Sequence, residues 1–131
     1  LKPVGRLDKD SSGLLLLTND GALANQLTHP SYNKDKIYRV ELDMPLPDSH
    51  REQLEAGVKL ADGLSRLKLD GHDRIWTVTI HEGRNRQIKK MLASENIEVI
   101  RLLRIQIGNI ELGDLKKGEW RELLKSELLT I

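Results

Sequence analysis

The 131-residue chain has no cysteine and no phenylalanine. Without thiols there can be no disulfide, no thiolate zinc site and no cysteine nucleophile. Its rings are Trp76, Trp120, Tyr32 and Tyr38, so a core has to be assembled from Leu, Ile and Val. A surface that holds single strands by stacking base after base needs more rings than this; about one is available for a base. No apolar run approaches the ~18 residues of a membrane span, and no signal-peptide pattern is present, which makes a cytoplasmic protein with no membrane partner the expectation.

Net charge is also scarce, at +1, but it is unevenly spread. Arg74, Arg84, Arg86, Lys89, Lys90, Arg101 and Arg104 cluster against only Glu82, Glu95 and Glu98, whereas Glu41, Asp43, Asp48, Glu52 and Glu55 gather earlier. Such segregation suits a phosphate-binding face and suits a solvated mixed surface equally well. With 38% hydrophobic and 31% charged residues, the composition is that of one modest globular domain. The chain opens Leu1-Lys2-Pro3 rather than with Met, and reads as a piece of something longer.

Residues 5–13 form a polar loop between glycines, and the apolar run 14–17 reads as a strand buried on both faces. Asn19 or Asp20 caps a short helix through Thr28, ended by His29-Pro30. Residues 36–42 alternate as a strand. Ser49-x-x-Glu52 resembles a capping box for a helix closing near Gly57. Strands are expected at 64–70 and 74–81 around an Asp70-Gly71 hairpin signal, and a helix at 84–95 with Ile88, Met91 and Leu92 on one face and Arg86, Lys89 and Lys90 on the other. Strands at 98–110 and 119–123 complete the reading. The hairpins predict an α+β fold, a mainly antiparallel mixed sheet with helices packed on it.

The chemistry concentrates in the loop at 5–13. Asp8-x-Asp10-x-Ser12-Gly13 matches the opening of an EF-hand loop, but Asn19 stands where a bidentate Glu is required and Leu16 where an oxygen ligand is. A phosphate cradle lacks its Gly-Lys-Ser/Thr ending. A carboxylate pair for sugar hydrolysis fits the spacing but is nonspecific. A tight turn accounts for Asp10, Ser11 and Ser12; Asp8, ahead of the turn, is the residue it explains least. His29, His50, His72 and His81 have no metal-ligand spacing, so no metal is expected.

Residues 5–21, Gly5-Arg6-Leu7-Asp8-Lys9-Asp10-Ser11-Ser12-Gly13-Leu14-Leu15-Leu16-Leu17-Thr18-Asn19-Asp20-Gly21, resemble without a gap the signature of the RsuA-like family of ribosomal RNA pseudouridine synthases. In that pattern the Asp of Gly-Arg-Leu-Asp is the nucleophile, here Asp8. Lys36-Ile37-Tyr38-Arg39-Val40 resembles the family's Lys-x-Tyr strand, whose Tyr stacks beside the target base; on the residues alone, Tyr38 fits the core as well. Glu82-Gly83-Arg84-Asn85-Arg86-Gln87-Ile88-Lys89-Lys90-Met91-Leu92 resembles the family's Gly-x-x-Arg-Gln helix start. The resemblance implies that the basic residue closing this motif pairs with the catalytic Asp. That position is Lys89, where many relatives carry Arg and its bidentate fork; Arg86 is the other candidate. Arg101-Leu102-Leu103-Arg104-Ile105-Gln106-Ile107-Gly108 and Gly118-Glu119-Trp120-Arg121 resemble the C-terminal strands, with Trp120 read as packing. Arg6, Arg84, Arg86, Lys90, Arg101 and Arg104 make up the expected RNA-binding set.

The resemblance implies isomerisation of a flipped-out uridine in structured ribosomal RNA, without a cofactor. Family members usually begin with an S4-type RNA-binding domain and further strands bearing a Lys-Pro-x-Gly element, which Lys2-Pro3-Val4-Gly5 only echoes. Residues 1–131 are thus expected to be a catalytic domain lacking those parts, its sheet incomplete. The rival expectation is an RNA-binding remnant without turnover. The presence of Asp8, Tyr38, Arg86 and Lys89 together speaks against it.

Overall fold

A computed structural model describes residues 1–29, 31–32, 34–81 and 86–129. In chain order it contains β1 (Lys2–Val4), β2 (Ser12–Gly13), β3 (Leu16–Thr18), α1 (Gly21–Thr28), β4 (Lys36–Leu42), α2 (Asp48–Ala56), β5 (Val58–Leu60), β6 (Gly63–Ser65), β7 (Lys68–His72), β8 (Ile75–Ile80), α3 (Gln87–Ser94), β9 (Val99–Ile107), β10 (Ile110–Glu111) and α4 (Lys125–Leu129). The main sheet runs β10-β9-β4-β8-β7, with β2 also on β9. All its pairings are antiparallel except β2 with β9. This is the α+β mixed sheet expected. β1 with β3, and β5 with β6, form separate two-stranded ribbons.

Alternation along β4 puts Val40 and Leu42 on the face that meets Trp76, Val78, Leu69 and Leu102 from neighbouring strands. Leu54 of α2 and Ile88, Met91 and Leu92 of α3 close over them. Each buried aliphatic side chain here contributes roughly 1.5–3 kcal/mol. Trp76 satisfies its one donor by bonding the Asp73 carbonyl at 3.0 Å, and Arg51 covers its ring at 5.2 Å. A second, smaller cluster gathers Leu14, Leu16, Ile107 and Ile110.

β4 and β9 lose register by one residue between Ile37 and Tyr38, which pair with Gln106 and Arg104 in turn. Ile105 is therefore a bulge, and its carbonyl accepts from Leu112 N at 2.8 Å instead. An extra residue switches which side chains point inward. Leu102 and Arg104 before the bulge, and Ile107 after it, are all buried.

Several expectations need correction. In the run 14–17 only Leu14 and Leu16 are buried, while Leu15 and Leu17 are exposed: the segment is covered on one face, where Leu14 and Leu16 pack with Ile107 and Ile110. α2 starts from Pro47 with no side-chain cap, so the capping box does not form. The expected strand 64–70 is broken into β6 and β7, and the hairpin turns at Asp73-Arg74, with Asp73 at φ 60°; Asp70-Gly71 lies inside β7. Residues 119–123 form no strand. Trp120 does not pack, being 77% exposed.

Candidate active site

The loop at 5–13 is fixed at both ends by backbone. Ser11 N donates to the Asp8 carbonyl at 3.0 Å, closing a turn, and Leu14 N donates to Arg104 O at 2.9 Å. Between them Ser12 and Gly13 lie parallel against Leu103 and Arg104. Gly13 sits at φ +120°, and a Cβ there would stand 2.3 Å from the Arg104 carbonyl oxygen. Only glycine permits this approach.

Beside the loop opens a pocket of about 620 Å³ lined by residues that include Arg6, Asp8, Ser11, Tyr38, Ile88 and Arg104. It lies at the seam of the two apolar clusters: Ile80, Ile88 and Leu102 come from the larger, Leu16 and Ile107 from the smaller. Its size suits a ligand of a few hundred cubic ångströms, the usual range for small-molecule sites. Asp8 is partly buried at its wall, and its carboxylate makes no ion pair among the described residues. At the mouth, His81 pairs with Asp35.

The cations of α3 go to the other acid of the loop. Lys89 Nζ stands 2.5 Å from Asp10 Oδ2, and Arg86 Nη1 stands 3.2 Å from Asp10 Oδ1. The hydrogen bond from Lys89, with help from its charge and that of Arg86, holds the Asp10 carboxyl below the usual carboxylate range. Arg86 enters α3 in the left-handed conformation, φ 53° and ψ 30°, which costs a side-chain-bearing residue about 1–2 kcal/mol. The clamp thus joins a strained helix entrance to the loop that carries Asp8.

The remaining expected positions divide. Tyr38, Arg6 and Arg104 are at the pocket. Lys89 reaches the loop but pairs with Asp10 rather than Asp8. Lys90 is exposed and outside the pocket lining. Arg101 projects from the opposite sheet face and pairs with its cross-strand neighbour Glu41 at 3.5 Å. Arg84 lies outside the described residues. Arg104 is no surface contact: it is buried, and its Nε donates to Leu14 O at 2.8 Å. Sequence reading missed the clamp at Asp10 and gave Lys36 and Tyr32 no role of their own, although both line the pocket.

The chain belongs to the RNA pseudouridylate synthase family, whose model matches residues 1–94. Within that family it is 39% identical to an uncharacterized RNA pseudouridine synthase of Aquifex aeolicus, over 96% of this chain and 53% of the relative. It is 42% identical to ribosomal large subunit pseudouridine synthase B of Bacillus subtilis, over 96% of this chain and 55% of the relative. A crystal structure of a pseudouridylate synthase superposes with a TM-score of 0.89 at 34% identity, covering 98% of this chain and 58% of the other. The chain spans about half the length of the curated relatives it matches. Among the described residues no helix is long and apolar enough to cross a membrane.

Proposed function

We propose that this chain carries the catalytic site of a ribosomal RNA pseudouridine synthase, with Asp8 as its nucleophile and no cofactor. The observation that supports it most is a carboxylate, without an ion pair among the described residues, sharing a nucleoside-sized pocket with the partly buried ring of Tyr38. The reaction breaks the bond between uracil N1 and ribose C1′, turns the base and joins C5 to C1′. N1 gains a proton and C5 releases one, so atoms and electrons balance without a redox partner. Asp8 supplies the group that attacks the sugar or base, or removes a sugar proton. The uridine leaves its stack at a cost of a few kcal/mol, offset in part by contact with Tyr38 and the apolar wall at Ile88. In this reading Arg6, at the pocket, and Arg86, beside the loop, are the cations that meet the RNA backbone.

Lys89 acts in this reading through Asp10, holding the loop so that Asp8 keeps its aim. The names of the relatives support ribosomal RNA as the substrate. The test is release of tritium from ribosomal RNA transcripts labelled at uracil C5. Steady release by the wild-type chain is expected. Binding of the same transcripts with no release would contradict the proposal and leave an RNA-binding remnant.

A further inference from the structure

The pocket holds donors that find no acceptor among the described residues. Arg104 is 4% exposed; its Nε is spent on Leu14 O, but its Nη2 is buried with no partner. Lys36, half-buried in the same pocket, has no ion-pair partner among the described residues. The Tyr32 hydroxyl, also at the pocket, is buried and without a partner among the described residues. Their placement follows from the strands. Lys36 and Tyr38 are two apart on β4 and share a face, and the bulge at Ile105 sets Arg104 opposite Tyr38 and Ile107 opposite Lys36.

Two cations held together without an acid are unfavourable. A guanidinium keeps its charge, and a buried charge is ordinarily paired. Burial pushes the Lys36 ammonium below the ordinary lysine range, and the nearby Arg104 adds to that; burial likewise raises Tyr32. Asp8, the acid in the same pocket, pairs with neither cation. An arriving anion would relieve all three groups at once.

We infer that Lys36 and Arg104, with the Tyr32 hydroxyl, form an anion subsite that takes one phosphodiester group of the RNA beside the nucleotide in the pocket. This rests on the reading of the pocket as a uridine site. Cations flanking Tyr38 would fix the nucleotide by its phosphate while the ring meets the base, setting which sugar atom Asp8 meets. The subsite gives Arg104, expected among the RNA-binding residues, one particular phosphate.

The test is an NMR titration of the whole chain with uridine, uridine 5′-monophosphate and inorganic phosphate, following Arg104 Nε–H and the Lys36 and Tyr38 amides. The monophosphate is expected to bind at least about tenfold tighter than uridine, the worth of one charge-assisted hydrogen bond, and phosphate to compete with it. Lys36→Gln should reduce the preference severalfold and Lys36→Arg restore it, with unchanged thermal melts. Equal affinity for uridine and the monophosphate, or a preference undiminished in Lys36→Gln, would overturn the subsite. Tritium release on the same preparations separates the two claims. Release without the phosphate preference sinks the subsite alone; the preference without release supports an anion site and sinks the enzyme reading.

Discussion

Asp8 and Asp10 stand two residues apart, yet they meet different surroundings: one lines the pocket with no ion pair among the described residues, the other is clamped by Lys89 and Arg86. A clamp acts on geometry, so its loss should slow turnover more than it weakens RNA binding. Lys89→Ala is expected to lower kcat by roughly tenfold to a hundredfold, the scale of an ångström of misplacement, with a smaller change in RNA affinity. Asp10→Asn should do the same, and the double variant should be no worse than the more severe single one. Loss confined to affinity would make Lys89 a phosphate contact. The pH sense follows from the lowered Asp10 carboxyl: the clamp is complete above the ordinary carboxylate value and is released only as the pH falls through the depressed one. Asp8 was legible in the sequence because its neighbours form a long motif. The clamp was not, because Arg86 lies 76 residues from Asp10, and loop chemistry alone makes Asp10 a turn former.

At the scale of elements, the site depends on β2 lying flat on β9, and Gly13 is the contact that allows it. Gly13→Ala is expected to destabilise the chain by roughly 1–3 kcal/mol through backbone strain alone, read as a lower urea midpoint; an unchanged midpoint would show that the loop is not held this way. Near the C-terminus, Arg121 Nη2 meets Glu127 Oε2 at 2.8 Å, and that hydrogen bond with the Leu124 amide lowers the Glu127 carboxyl to about 2. This tie is present above the ordinary glutamate value and is lost as the pH falls through about 2. An NMR titration of Glu127 should find that midpoint, and Arg121→Ala should return it toward the ordinary glutamate value of 4.5; a midpoint already near there in the wild type would contradict the pairing. Periodicity located β4 and the buried face of α3 well, since both alternate or repeat against one core. It failed at residues 119–123, where no neighbouring strand supplies a ladder, and at Asp70-Gly71, where Asp73 takes the left-handed turn position instead. The bulge at Ile105 left no mark in the sequence, because a register shift belongs to the pairing of two strands rather than to either one.

For the whole molecule, the candidate pocket lies at the seam between two apolar clusters, each contributing a wall to it. The α+β architecture could be read from hairpins and helix periods, but the seam could not: it exists only once β9, carrying both Leu102 and Ile107, joins the clusters. Membership of the pseudouridylate synthase family fixes the frame, and the reaction proposed within it turns on one carboxylate. The direct measurement compares tritium release from C5-labelled ribosomal RNA by wild type, Asp8→Asn and Asp10→Asn at matched RNA occupancy, with thermal melts of each. The account expects no detectable release from Asp8→Asn, with its melt and RNA affinity retained, and reduced but measurable release from Asp10→Asn. Release by Asp8→Asn at the wild-type rate would contradict it.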